Sequence, residues 1–337
     1  MNLFIFIIRR LIILVPIIFG VLIIVFIIGR VLPSDPLIYF IGQEADQELI
    51  NKVKHDLKLD RSIWIQFIYY LKDISNGSLG MSWSTRNPVS IDLMSKLPAT
   101  FELVIFSLLF TVLLSIPLGI ISAVKKDTII DHLSRIFVLS GVSIPNFWLG
   151  LILIYLFYAI LGWSPPPMGR LNIGIQLDQI TGFLLIDSIL TLNIKAFISS
   201  LNYLILPVIT LSALQIAQLT RITRSSMIEV LNSEYIQSAK AQGLNKNLII
   251  YRLALKNSLL VPITQIGIIA GNTIGSAVIV EIVFAWPGAG SWAIDAALAG
   301  DFAPIQAFAA IMAIARVIIF LMTDIAYKML DPRIDLY

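Results

Sequence analysis

Six stretches of the chain are apolar for so long that a lipid bilayer is their natural solvent. They run from about Leu11 to Ile28 and over 101–124, 136–161, 204–221, 260–284 and 304–328. A hydrocarbon core about 30 Å thick is crossed by about 20 apolar residues in a helix, and inside it every backbone amide has to be bonded within its own segment. Each run therefore predicts a transmembrane α-helix. Composition points the same way: 13% of residues are charged, against about 25% in a soluble protein, and the mean hydropathy is +0.89. The expected fold class is an all-α polytopic membrane protein with six transmembrane helices.

The first run follows Arg9 and Arg10 and leads into "GRVLPSDP" rather than a small-residue cleavage site, so it reads as a retained helix, residues 1–29. Residues 30–98 mix charges of both signs with Leu, Ile and aromatics, a pattern of short amphipathic helices in an extramembrane segment. The remainder, 99–337, is the transmembrane domain. Within it "ITGFLLIDSILTL", residues 180–192, is too short for a seventh crossing and carries an aspartate, which suits an interfacial or packed helix.

Short loops rich in Lys and Arg mark the cytoplasm. Lys125, Lys126 and Arg135 follow the second run. Arg221, Arg224, Lys240, Lys246, Arg252 and Lys256 follow the fourth, and Arg9, Arg10, Lys328 and Arg333 flank the ends. With six crossings all of these fall on one side. Both termini are then cytoplasmic, and 30–98, 163–203 and 286–303 face outward. The net charge of +3 is too mild to suggest nucleic acid. The chain has no cysteine, and its two histidines, His55 and His132, have no ligand-spaced companion, so no metal site is expected. There is no GxxxxGK[ST] phosphate loop and no Ser, His, Asp arrangement, so neither a nucleotide site nor a catalytic residue is expected.

One cytoplasmic stretch is polar, basic and helical in pattern: "SEYIQSAKAQGLNKNLIIYRLALKN", residues 233–257. Ile236, Ala239 and Gly243 share a helix face with Tyr235 beside them, and small residues there would let another backbone approach. Gly243 suits a left-handed helix cap, and Asn245 can cap a second helix with Leu244 and Ile249 as a staple. Two readings fit the periodicity: an amphipathic helix on anionic lipid, or a docking helix for a cytoplasmic partner.

Resemblance separates them. "EYIQSAKAQGLNKN", preceded by "RITRSSMIEVLNS", resembles the cytoplasmic loop of ABC importer permeases, in the dipeptide, oligopeptide and nickel branch and its first-permease, B-type form. "RRLIILVPIIFGVLIIVFIIGRVLPSDP", "LKLDRSIWIQFIYYL", "GSLGMSW", "LPATFEL", "VSIPNFWLG", "EIVFAWPGAG" and "DPRI" resemble other segments of that family in the same order. The resemblance implies an extracytoplasmic insertion after the first helix and a coupling helix between the fourth and fifth. In such a helix Glu234, Tyr235, Ile236, Ala239, Lys240, Gly243 and Leu244 would meet an ATPase. It departs from the broad pattern at Gln237, Ser238 and Lys256 in the loop, and at Ser34. The resemblance further implies a prokaryotic inner-membrane location, a second homologous permease, two ATP-binding subunits holding ATP and Mg, and an extracytoplasmic substrate-binding protein. This chain itself would bind no cofactor. Peptides are the implied cargo, with nickel complexes or sugars as the family's alternatives.

Charged residues inside a span are costly and mark functional sites by default. Glu281 lies near the outer end of the fifth run, before Trp286, Pro287 and Gly288, where Pro287 and Gly288 suit the centre of a type II turn. By resemblance this is the outer mouth of the pathway. Glu281 serves either as a bond to that turn or as a substrate contact. Arg316, mid-span in the sixth run, has Glu281, Asp324 or a second permease as candidate partners, and Asp324 lies near the cytoplasmic end. Glu281, Trp286, Pro287, Gly288 and Arg316 are the candidate gate, and Asp324 suits snorkelling or a helix-end bond. Glu281, Arg316 and Asp324 would instead be the coupling residues of an ion-driven secondary transporter, a reading that calls for internal repeats. A membrane receptor with 30–98 as its ligand domain is the third possibility.

Overall fold

The apolar runs fold as helices, and most of these helices outgrow the runs. The computed structural model describes residues 3–31, 55 and 60–330, and among the described residues there is no β-strand. Helix α1 spans Leu3–Val31 and α2 spans Ile63–Ser75. Helix α3 runs Val89–Val124 and α4 runs Ile129–Ser143. Helix α5, Asn146–Leu153, continues as a π-helix over Ile154–Ile160, and α6 is the short Leu184–Leu190. Helix α7 runs Ile194–Leu231 and α8 runs Glu234–Ala241. Helix α9 starts at Lys246–Leu248, widens to a π-helical stretch at Ile249–Ala254 and closes again at Leu255–Ser258. Last come α10 at Leu260–Val283, α11 at Ala289–Leu298 and α12 at Phe302–Leu330.

By length and composition α3, α7, α10 and α12 can cross a membrane, and Val15–Ile27 and Asn146–Ile160 are shorter apolar stretches. The chain is an all-helical multi-pass membrane protein. Helices α3 and α7, with 36 and 38 residues, reach about 55 Å at 1.5 Å per residue. That is well beyond the hydrocarbon thickness. The run expected at 136–161 is interrupted. Ile144 is extended (φ −105°, ψ 121°) because Pro145 disfavours a helical residue before it, so α4 stops and α5 restarts from Pro145. Of the expected outer segment 30–98, residues 32–54 and 56–59 lie outside the described residues, as does Arg333.

Helix α2 packs against α1 through Phe67, while Ile63, Trp64, Ile65 and Ile68 are exposed. Its Phe67 is buried and sits 5.7 Å from Phe19 and 5.2 Å from Phe26 of α1, ring centre to ring centre. The main core lies where α3, α7, α10, α11 and α12 meet, around Leu93, Leu103, Leu211, Val280, Trp286 and Trp292. A second, smaller core at the other end joins Ile120, Met227, Ile236, Ile249 and Ile250. Helices α3 and α7 cross closely at Gly119, where a Cβ would fall 2.6 Å from the Thr223 Cβ. Small residues at helix crossings are the usual device in lipid, where apolar burial does not drive association. A polar chain ties three helices: the Thr111 hydroxyl donates to the Gln215 carbonyl oxygen (3.0 Å), and the Gln215 amide donates to Thr273 (2.9 Å).

Within the segment 180–192, Leu184–Leu190 forms the packed helix α6. Leu184, Leu185, Asp187 and Ser188 of α6 are buried. Asp187, the residue that spoke against a crossing, bonds the start of its own helix: its carboxylate accepts from the Thr181 amide (2.8 Å), the Thr181 hydroxyl (2.6 Å) and the Gly182 amide (3.0 Å).

Candidate functional site

At one end of the bundle the two helices around Gly243 take the form their residues dictate. Gly243 is left-handed (φ 73°), and the Leu244 amide reaches back to the Ala239 carbonyl (3.3 Å), closing α8. The Asn245 side chain then accepts from the Asn247 amide (2.9 Å) and opens α9. Leu244 and Ile249 line one cavity of about 340 Å³ with Val124, Leu231 and Lys240.

The expected face divides. Ile236 and Ala239 are buried against their own chain, in the core built on Met227, Ile249, Ile250 and Ala254. Glu234, Tyr235, Gln237, Ser238 and Lys240 are exposed. Of the row that was to receive a partner's backbone, Ile236 and Ala239 instead root α8 on α7 and α9, because Ile236 is the most apolar residue of a polar helix and seals the core beneath it, while Gly243 stays exposed. Tyr235 is half exposed, and its hydroxyl accepts from the Asn257 side-chain amide (2.8 Å).

The same end holds a charge cluster that sequence reading missed. Asp131 of α4 is fully buried. Its carboxylate accepts from Arg224 of α7 through Nε (2.7 Å) and Nη2 (2.8 Å), from Arg135 (2.6 Å), from the Ser122 hydroxyl (2.5 Å) and from the Asp127 amide (3.1 Å). Arg224 above all, with Arg135 and Ser122, holds this carboxyl far below the usual carboxylate range. The arrangement locks basic residues of α4 and α7 to the end of α3.

At the opposite end Glu281 is fully buried under the start of α11. Oε1 accepts from the Thr100 hydroxyl of α3 (2.5 Å) and Oε2 from the Ser291 amide (2.8 Å), while the Thr100 oxygen accepts from the Ala289 amide (2.8 Å). A carboxylate under a helix N-terminus meets amides that have no partner within the helix. Trp286 is buried, and its indole N–H donates to the Ala99 carbonyl (2.9 Å). The turn is not type II: Gly288 is extended (φ −90°, ψ 176°), and the left-handed residue is Ala285 (φ 43°). Glycine stands at 288 for space, since a Cβ there would collide with the Glu281 carboxylate. Pro287 is exposed.

Beside this turn lies a second missed group. Glu102 of α3, 2% exposed, pairs with Arg170 and accepts from the Leu185 amide of α6 (2.9 Å). Arg170 also donates to the Gly182 carbonyl (3.0 Å) and lies 5.5 Å from the Trp286 ring centre. The signal was in the sequence, because Glu102 is the second residue of the expected run 101–124.

Arg316 is brought to neither Glu281 nor Asp324. Its Nη2 donates to the Asn272 side-chain oxygen (3.3 Å), and its guanidinium lies 5.5 Å from the Phe320 ring centre. Among the described residues no group of three or more His, Cys, Asp or Glu could hold a metal.

Comparison with known proteins adds identity to this geometry. The family model described as "binding-protein-dependent transport system inner membrane component" matches residues 115–336, and the model of its N-terminal part matches 3–104. The chain is 39% identical to a probable D,D-dipeptide transport system permease protein of Escherichia coli (strain K12), covering 95% of this chain and 94% of the relative. It is 36% identical to a dipeptide transport system permease protein of Alkalihalophilus pseudofirmus, covering 97% and 98%. It is 34% identical to an oligopeptide transport system permease protein of Bacillus subtilis (strain 168), covering 98% and 99%.

Proposed function

Since this chain belongs to the family of binding-protein-dependent transport system inner membrane components, we propose that it is a permease subunit of an ATP-driven importer of di- or oligopeptides. The observation that carries the reading is the end-to-end match to relatives named as peptide permeases, which leaves almost none of either chain uncovered. The chain crosses the inner membrane six times with both termini in the cytoplasm, forms half of the translocation path with a homologous permease, and receives peptide from an extracytoplasmic binding protein. ATP and Mg reside on two partner subunits, and this chain performs no covalent chemistry.

Coupling falls to the exposed face of α8: Glu234, Tyr235, Lys240 and the turn at Gly243 and Leu244. Ile236 and Ala239 serve the same task from beneath, because their burial against Met227 makes α8 part of the α7 end rather than a loose flap. A push on α8 from a closing ATPase then moves α7 and, through Asp131 and Arg224, α3 and α4. Helix α3 carries Thr100 at its other end, so the displacement reaches Glu281, Trp286 and the outer turn. Such coupling needs an element with two discrete arrangements, and the rigid α3–α7 pair is the candidate.

The experiment is reconstitution of the complete complex, co-expressed from its own subunits, in vesicles supplied with binding protein and labelled dipeptide. ATP-dependent uptake that vanishes without this chain supports the reading. Uptake driven by an ion gradient with this chain alone overturns it.

A further inference from the structure

The coupling pathway leaves Arg316 without a task. It stands at the midpoint of α12, Phe302–Leu330, and is exposed. A guanidinium at that depth is expensive unless it faces water or a polar partner. Of its five N–H donors, one finds Asn272, and among the described residues no carboxylate is within ion-pair distance of it. It opens onto a cavity of about 1020 Å³ between α1, α10 and α12, whose walls are apolar apart from Asn272, Ser276, Arg316 and Asp324. Behind the arginine, Gly271 leaves so little room that an added Cβ would come within 3.3 Å of the Arg316 Cγ. Phe320 lies against its face. The fork is thus held from two sides, with donors left over on the cavity side.

We propose that Arg316 is a carboxylate-binding residue on the translocation path, taking the α-carboxylate of a peptide in this cavity, with Asn272 as its positioning residue. The inference rests on the peptide-transport reading above. A rigid planar fork matches a carboxylate in two parallel hydrogen bonds. Lipid phosphates stay at the bilayer surface, out of reach of the middle of α12. A cavity at the upper end of ligand-pocket sizes, apolar with few convergent polar groups, suits a small amphiphilic cargo.

The test uses the complete complex in vesicles, an alanine dipeptide with a free or an amidated C-terminus, and the variant Arg316→Cys in a chain that otherwise has no cysteine. Uptake of the free dipeptide is expected to fall about tenfold, the scale of one lost charge-assisted contact, while uptake of the amide holds at its wild-type rate. Modification with aminoethyl methanethiosulfonate, which returns a cation to the site, restores uptake of the free dipeptide, and the sulfonatoethyl reagent does not. Where the wild type takes up no amide, this charge rescue decides the matter alone. Unchanged uptake, equal loss of both peptides without rescue, or loss of the sibling permease from the purified variant overturns the proposal, the last by making Arg316 an interface residue. Failure of the wild-type complex to take up either dipeptide with ATP sinks the transport reading itself.

Discussion

At Gly288 a missing side chain is what lets a buried carboxylate exist. Gly288→Ala places a methyl group into Glu281, and overpacking of this kind costs about 1–3 kcal/mol, so the detergent-solubilised protein should unfold at a lower temperature. Asp131 offers a test by pH. Arg224 and Arg135 hold its carboxyl far below the ordinary value of 3.8 in the folded chain, so its contribution is complete at neutral pH and is lost progressively only as pH falls below about 4 toward the lowered folded value. Asp131→Asn should destabilise the chain by about 3 kcal/mol at pH 7, the scale of a broken buried ion pair. The difference from wild type should shrink on acidification, and a constant difference would show that packing rather than charge is at stake. The sequence showed that Glu281 was a charge in an apolar run. It could not show that its partner is Thr100, 181 residues away, or that Asp131 and Arg224, 93 apart, meet. Such pairs are made by helix crossings, and a single chain read in order carries no trace of which helices cross.

Among the elements, α8 separates what roots the proposed coupling helix from what it would offer an ATPase. Ile236→Ala empties a fully buried site and should cost about 2–5 kcal/mol, seen as a lower unfolding temperature. Tyr235→Ala removes a half-exposed side chain and one hydrogen bond to Asn257. It should leave the unfolding temperature nearly unchanged while weakening co-purification of the ATPase subunits. Equal retention of the ATPases by Tyr235→Ala would move the contact off this face. Legibility here was uneven for a physical reason. The apolar runs located the helices because lipid demands them, but a helix does not end where lipid does, so the run 204–221 became Ile194–Leu231. Gly243 and Asn245 were readable as caps because cap chemistry is local. The inward direction of Ile236 was not, since one face of Ile, Ala and Gly describes a docking surface and a packing surface alike.

Over the whole molecule the charge bias and the packing agree. Lys125, Lys126, Arg135, Arg224, Lys240 and Lys246 gather at the end that holds Ile120, Met227 and Ile236, while Glu102, Asp187, Glu281 and Asp301 lie toward the other. Excess Lys and Arg in short loops marks the cytoplasmic side, which predicts that α8 faces the cytoplasm and the loop around Arg170 faces outward. A chain without cysteine makes this directly measurable. Ile173, fully exposed, and Gln242, at the end of α8, stand on either side of the one long helix α7. In intact cells whose outer barrier has been removed, an impermeant maleimide should label Ile173→Cys at once and Gln242→Cys only after the membrane is opened. Because a single crossing separates the two positions, the reversed pattern would invert the topology without changing the number of spans. Labelling of both from one side would mean that α7 does not cross, and the route from the coupling helix to the outer turn would have no membrane to span.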